Sequence, residues 1–192
     1  MTPLQAALLA ERAYTDKPTF GKADSAGRAV VWGNAVGFPG TDNAACFLAD
    51  LQALGEEIPG MGVLHLGFWD AWQEVSEDVL GLHGVDVLLG HSEGAALALI
   101  AAAQLCLAGK PPKAVFALEP PRVSADNTLA KLFSEHGVAL YLSRNGLDLV
   151  TEVPRLLRPW QHPAPLTGIG HASLPVVNIE DHLIEHVIKA LS

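Results

Sequence analysis

Residues 85–107 read VDVLLGHSEGAALALIAAAQLCL: a short apolar run, a Gly-x-Ser-x-Gly pentapeptide and a long apolar run in direct succession. The first run has the length and composition of a strand covered on both faces, and the second those of a buried helix. Gly90-His91-Ser92-Glu93-Gly94 between them fits the sharp strand-to-helix turn that lifts a serine hydroxyl to the carboxyl edge of a sheet. Without Cβ atoms at Gly90 and Gly94, strand and helix can close around a strained serine backbone. The pentapeptide alone is a short pattern, and its strand–turn–helix setting is what separates it from an ordinary tight turn. The apolar stretch from Gly94 to Leu107 is interrupted by Gln104 and ends at Gly109-Lys110-Pro111-Pro112, which is too short and too well punctuated for a membrane span.

Outward from the serine, β-branched or Leu-rich runs recur at RAVVWGN, GVLHLGF, AVFALEP and VALYLS, separated by segments long enough for helices. The proposed helices cover 2–14, 43–54, 69–80, 93–108, 126–136 and 180–191. This alternation predicts an α/β fold with a mostly parallel central sheet flanked by helices on both faces. No repeat, low-complexity tract or linker interrupts residues 1–192, which are read as a single domain.

Twelve Lys and Arg against 21 Asp and Glu give a net charge of −9, which repels polyanions and argues against nucleic acid and anionic membrane surfaces as partners. The two cysteines, Cys46 and Cys106, sit in apolar segments and read as buried thiols, not as a disulfide framework or a metal site. The N-terminus, MTPLQAALLAERAYTD, lacks a basic region and reaches Glu11 and Arg12 after a very short apolar run, so it does not resemble a signal peptide and predicts a cytoplasmic location.

A serine hydroxyl needs a base to remove its proton, usually a histidine held by a carboxylate, and in this topology the order is Ser, then acid, then His. His136, His162, His171, His182 and His186 all follow Ser92, so order alone does not choose among them. Asp148, just beyond the strand VALYLSRN, is well placed for the acid, with an Asx-type turn as the competing role.

The blocks AYTD, GFPGTDN with ACFLADL, LHLGFWDAW, LLGHSEGAALA, FALEPPRVSADN, NGLDLVTEVP and IEDHLIEHV together resemble, in the same order, the class 3 (fungal-type) triacylglycerol lipases of the α/β-hydrolase superfamily. The resemblance implies a serine esterase or lipase acting on an acyl ester or lipid, with no cofactor and no metal. It implies Ser92 as nucleophile, Asp148 as acid and His182 as base, with His171 in GIGHAS as the rival base and His186 one turn beyond His182 on a terminal helix. It implies an oxyanion hole from the backbone N–H of Glu93 and that of Thr41, the Thr41 hydroxyl included. His91 and His65 read as packed or hydrogen-bonded neighbours.

Two positions depart from the family pattern. Pro39 stands where many members carry an arginine, and Glu93 where they carry an apolar residue; Glu93 is expected to point outward and stabilise the helix N-terminus. NAACFLADL, with Phe47, reads equally as a lid or as an amphipathic helix packed on the sheet. Transient contact with a lipid interface is implied, integral membrane association is not. A thioesterase or acyltransferase using the same triad is the nearest alternative, and a catalytically silent binding module the more distant one.

Overall fold

Thr2 opens the first helix: its hydroxyl accepts the Gln5 N–H at 3.2 Å while the Gln5 side chain accepts the Thr2 N–H at 2.9 Å, and Pro3 fills the first turn. The computed structural model describes residues 1–41, 54–155 and 158–192. Helix α1 (Pro3–Thr15) buries Ala6, Ala7, Ala10 and Ala13, a stripe of small side chains at helical spacing. Strands β1 (Phe20–Gly21), β2 (Arg28–Trp32), β3 (Ala35–Phe38), β4 (Gly55–Ile58) and β5 (Gly62–His65) precede helices α2 (Leu66–Gln73) and α3 (Ser76–Gly81). The strand–turn–helix unit supplies β6 (Val87–His91) and α4 (Glu93–Leu107). Strand β7 (Ala114–Leu118), helix α5 (Thr128–Glu135), strands β8 (Ala139–Asn145) and β9 (Thr167–Ile169) and helix α6 (Ile184–Leu191) follow, with 3₁₀ turns at Val150–Glu152 and Glu180–His182.

Among the described residues the main sheet runs β1-β2-β3-β6-β7-β8-β9. Pairing is antiparallel from β1 to β3 and parallel from β3 onward, so the expected α/β architecture holds. Both faces are covered, which is why β6 carries apolar residues without alternation. Leu88 joins a core with α2, α4 and α5, while Leu89 joins a second core with α1, Phe116, Leu118 and Val187 of α6. Helix α4 is buried nearly all round, and Gln104 within it accepts the Trp72 indole N–H at 2.9 Å. No helix among the described residues is long and apolar enough to cross a membrane. Cys106 is a free buried thiol, and burial pushes it up to about 11.

Four expectations change. GVLHLGF is not a strand of the main sheet: β5 pairs antiparallel with β4 in a separate hairpin, and its second half begins α2. The place beside β6 is taken by β3, whose four residues include Gly37 and carry too little apolar signal to stand out. The helix expected over 69–80 is two, α2 and α3, broken at Glu74 and Val75. The helix expected over 180–191 breaks at Leu183, where ψ is 133°, leaving His182 in a 3₁₀ turn and His186 in α6. The helix or lid expected over 43–54, with Phe47 and Cys46, lies outside the described residues except for Leu54, which is exposed.

Candidate active site

Ser92 leaves the carboxyl end of β6, the strand between β3 and β7, with φ 59° and ψ −130°, a conformation costly for any residue with a Cβ. The flanking glycines make the turn possible by close approach. A Cβ on Gly90 would fall 2.2 Å from the Gly94 carbonyl oxygen, and one on Gly94 only 2.0 Å from that of Phe38. Gly40 brings the loop after β3 alongside, since a Cβ there would stand 2.9 Å from the Ser92 Cβ.

Asp148 follows β8 and is fully buried. Its Oδ1 accepts the Val150 N–H at 2.8 Å, the expected Asx-type turn, and its Oδ2 accepts from His182 Nδ1 at 2.9 Å. One oxygen thus makes the turn and the other meets the histidine. A carboxylate only accepts, so Nδ1 carries the proton and His182 Nε2 is left with a lone pair. His182 Nε2 and Ser92 Oγ are both buried and have no hydrogen-bond partner among the described residues. His171, the rival, is exposed on the loop after β9, and His186 is part-exposed on α6, 3.9 Å from Glu180.

The loops that carry Asp148 and His182 are stitched to each other. The Leu149 N–H donates to the Asn178 carbonyl at 2.9 Å, and the Asn178 N–H to that of Leu147 at 3.0 Å. Asp181 accepts the Leu147 N–H at 2.8 Å, the Ser173 N–H at 2.9 Å and the Asn178 side chain at 3.0 Å. Burial alone would raise the Asp181 carboxyl, but these donors hold it below the usual carboxylate range. Glu152, at the far end of the Asp148 loop, is gripped by Arg144 at 2.7 Å and Arg122 at 3.1 Å.

His91 is hydrogen-bonded on both nitrogens, as expected of a neighbour and not of a base. Its Nε2 donates to the His182 carbonyl at 2.8 Å, so its Nδ1 must accept the Tyr14 hydroxyl at 2.7 Å. Its ring stacks on that of His182, centroids 4.6 Å apart. Burial, then the facing His182, hold His91 well below its ordinary value, and it stays neutral. His65 is likewise packed, stacked on Phe68 at 4.3 Å.

Glu93 contradicts expectation. It turns inward, 8% exposed, and the Thr41 hydroxyl donates to its carboxylate. Burial raises its carboxyl; the Thr41 bond and then the Arg28 charge oppose that, which is the physical reason a carboxylate is tolerated here. Arg28 also reaches the Gly40 carbonyl at 3.4 Å, bracing from β2 the loop in which Pro39 replaces the family arginine. The Thr41 hydroxyl is thus committed to Glu93, and the backbone N–H groups of Thr41 and Glu93 remain the candidate oxyanion donors.

Tyr14, Thr41, His91, His182, Leu183 and residues of α1 line a cavity of about 520 Å³ beside this cluster. Sequence reasoning missed Tyr14, Asp181 and the buried Glu119. The signal for Glu119 was its place directly after β7, at the carboxyl edge next to the serine strand, where parallel sheets gather site residues.

A family model described as Lipase (class 3) matches residues 35–157. The secreted mono- and diacylglycerol lipase A of Penicillium cyclopium is 31% identical over 125 residues, covering 60% of this chain and 40% of that protein. The chain therefore spans well under half of the curated relatives it matches. A crystal structure of a mutant form of the P. cyclopium protein is similar with a TM-score of 0.66 and 24% identity, over 93% of this chain and 81% of that one. That of a lipase from Rhizopus microsporus var. chinensis gives 0.74 and 18%, over 94% and 84%; at such identities both likenesses concern the fold. The expected cytoplasmic location is overturned, because the matched relatives are secreted proteins. The N-terminal residues behind that expectation form α1, whose apolar positions Ala6, Ala7, Ala10 and Ala13 are buried.

Proposed function

Since this chain belongs to the class 3 lipases, we propose that it is a serine esterase or lipase hydrolysing neutral acyl esters through an acyl-enzyme on Ser92. The observation that carries the reading is the buried Asp148–His182 bond, which leaves His182 Nε2 without a partner while the His182 ring stacks on that of His91, the residue before the elbow serine. Ser92 Oγ gives its proton to Nε2 and attacks the ester carbonyl carbon. The resulting oxyanion meets the N–H groups of Glu93 and Thr41, the first at the N-terminus of α4. His182 passes the proton to the departing alcohol, then takes one from the water that releases the acid, and Asp148 steadies the imidazolium in both steps.

Mono- and diacylglycerols are the substrates suggested by the relatives' names, and an extracellular setting by their secretion. Leu174, Val176 and Val177 are exposed just before the base and Leu183 lines the cavity, in keeping with transient contact with a lipid surface. We also take residues 1–192 as one domain, because both apolar cores share one sheet.

The test is hydrolysis of p-nitrophenyl esters of increasing chain length by the wild type and Ser92→Ala, with fluorophosphonate labelling in parallel. Wild type turns over and labels; the variant does neither. Preference for matched thioesters over oxygen esters would replace the lipase reading with a thioesterase, and a wild type inert in both assays would leave a binding module.

A further inference from the structure

Behind the His182–Asp148 pair lies a carboxyl group that these acyl-transfer steps do not use. Glu119 directly follows β7 with φ 50°, a left-handed backbone that glycine adopts freely and a glutamate only against strain. Its side chain is fully buried. One carboxyl oxygen accepts the Asn145 N–H at 2.8 Å, and the other meets the Ser143 hydroxyl at 3.2 Å. One oxygen of Glu119, one of Asp148 and a ring nitrogen of His182 all lie within 4.8 Å of one another.

The groups facing Glu119 are few. Among the described residues, Asp148 and His182 come from the two loops and Ser143 and Asn145 from β8, while the guanidinium groups of Arg144 and Arg122 are held by Glu152. Two buried carboxylates this close cannot both be charged without a cation between them, whereas a proton on one converts repulsion into a hydrogen bond. Asp148 already accepts on both oxygens, from Val150 and His182, and its charge is the one that an imidazolium needs.

We propose that Glu119 is a positioning residue for the acyl-transfer reaction: its neutral carboxyl donates an O–H to the Asp148 carboxylate and holds it against His182 Nδ1. Burial, then the neighbouring Asp148, push the Glu119 carboxyl well above the usual carboxylate range. The inference rests on the roles given above to Ser92, His182 and Asp148. Glu119 neither gains nor loses its proton during turnover. The strained backbone is retained because a glycine would leave Asp148 without this donor.

The test follows the rate of fluorophosphonate labelling of Ser92 against pH, which needs no knowledge of the substrate. Glu119→Gln stays neutral and can still donate to Asp148 and accept from Asn145. It is expected to label within about threefold of the wild-type rate, with the same acid midpoint. Glu119→Ala is expected to lose about ten- to hundredfold in rate, the worth of one hydrogen bond to a charged group, and to move the acid midpoint upward as Asp148 loses a donor. Glu119→Gly, which also relieves the backbone, takes its place if the alanine variant does not fold. A downward shift of about one pH unit in Glu119→Gln means the native side chain is an anion and overturns the proposal. Labelling of Glu119→Ala at the rate of Glu119→Gln overturns it as well. A wild type that labels at no pH brings down the serine-hydrolase reading, and this inference with it.

Discussion

Ser92 stands out of both the strand it ends and the helix it starts, at φ 59°, and that strain sits under the proposed nucleophile. Relieving it costs the reaction but stabilises the fold. Ser92→Gly is expected to melt about 2–4 °C above Ser92→Ala, for a strain difference of about 1 kcal/mol in a chain of this size, with both variants inert towards fluorophosphonate. Glu93 carries a second residue-level consequence. Burial raises its folded-state value above that of the unfolded chain, so the native state holds this proton more tightly. The associated stability is present below about pH 4.3 and is lost as pH rises through the folded value. Urea unfolding from pH 4 to 8 checks this: Glu93→Gln should gain on the wild type as pH rises and match it at the acid end. Ser92 stood out in the sequence by its motif, whereas His182 was singled out among five histidines only through the family resemblance, and the structure brings it to Asp148. Glu119, Asp181 and Tyr14 were not legible, since each acts through a partner from a distant segment, such as the His91 ring 77 residues after Tyr14.

The element that matters most after β6 and α4 is α1, which supplies the Tyr14 hydroxyl that fixes His91, which in turn holds the His182 carbonyl. Tyr14→Phe strips a partner from a buried ring nitrogen and is expected to cost about 1–3 kcal/mol in chemical denaturation. Activity should fall with it, because the histidine backbone loses its brace. Gly94→Ala tests the packing of α4 on β3: a methyl 2.0 Å from the Phe38 carbonyl oxygen forces the elbow open. A loss of about 1–3 kcal/mol is expected, with slower labelling of a serine that is chemically untouched. The helices α1, with its alanine stripe, and α4, a long apolar run, were readable within a residue or two. β3 was not, because four residues with a glycine carry little pattern and owe their strand state to two neighbours. The breaks in the helices at 74–75 and at Leu183 are likewise set by where the chain must turn, not by a proline or glycine that a reader can see.

For the whole molecule, the charge of −9 acts at a distance from the site. Turnover of one neutral ester is expected to be slower in anionic than in zwitterionic mixed micelles, with the gap closing as salt is added. The alternation of strands and helices made the layered sheet legible from sequence, whereas the cytoplasmic location, inferred from an N-terminus without the marks of a signal peptide, is overturned by the secreted relatives. Ser92 sits between the central strand and the most deeply buried helix, but Asp148 and His182 ride on loops tied to each other by Asn178 and Asp181. Loops joined by side chains open at lower free energy than a sheet does. The protein therefore has an unfolding step that silences it without dissolving it: in rising urea, labelling of Ser92 should fade while the tryptophan fluorescence still reads native. On dilution it should return at once, without refolding of the core, and in hydrogen exchange the amides of 146–152 and 170–182 should be spent long before those of α4.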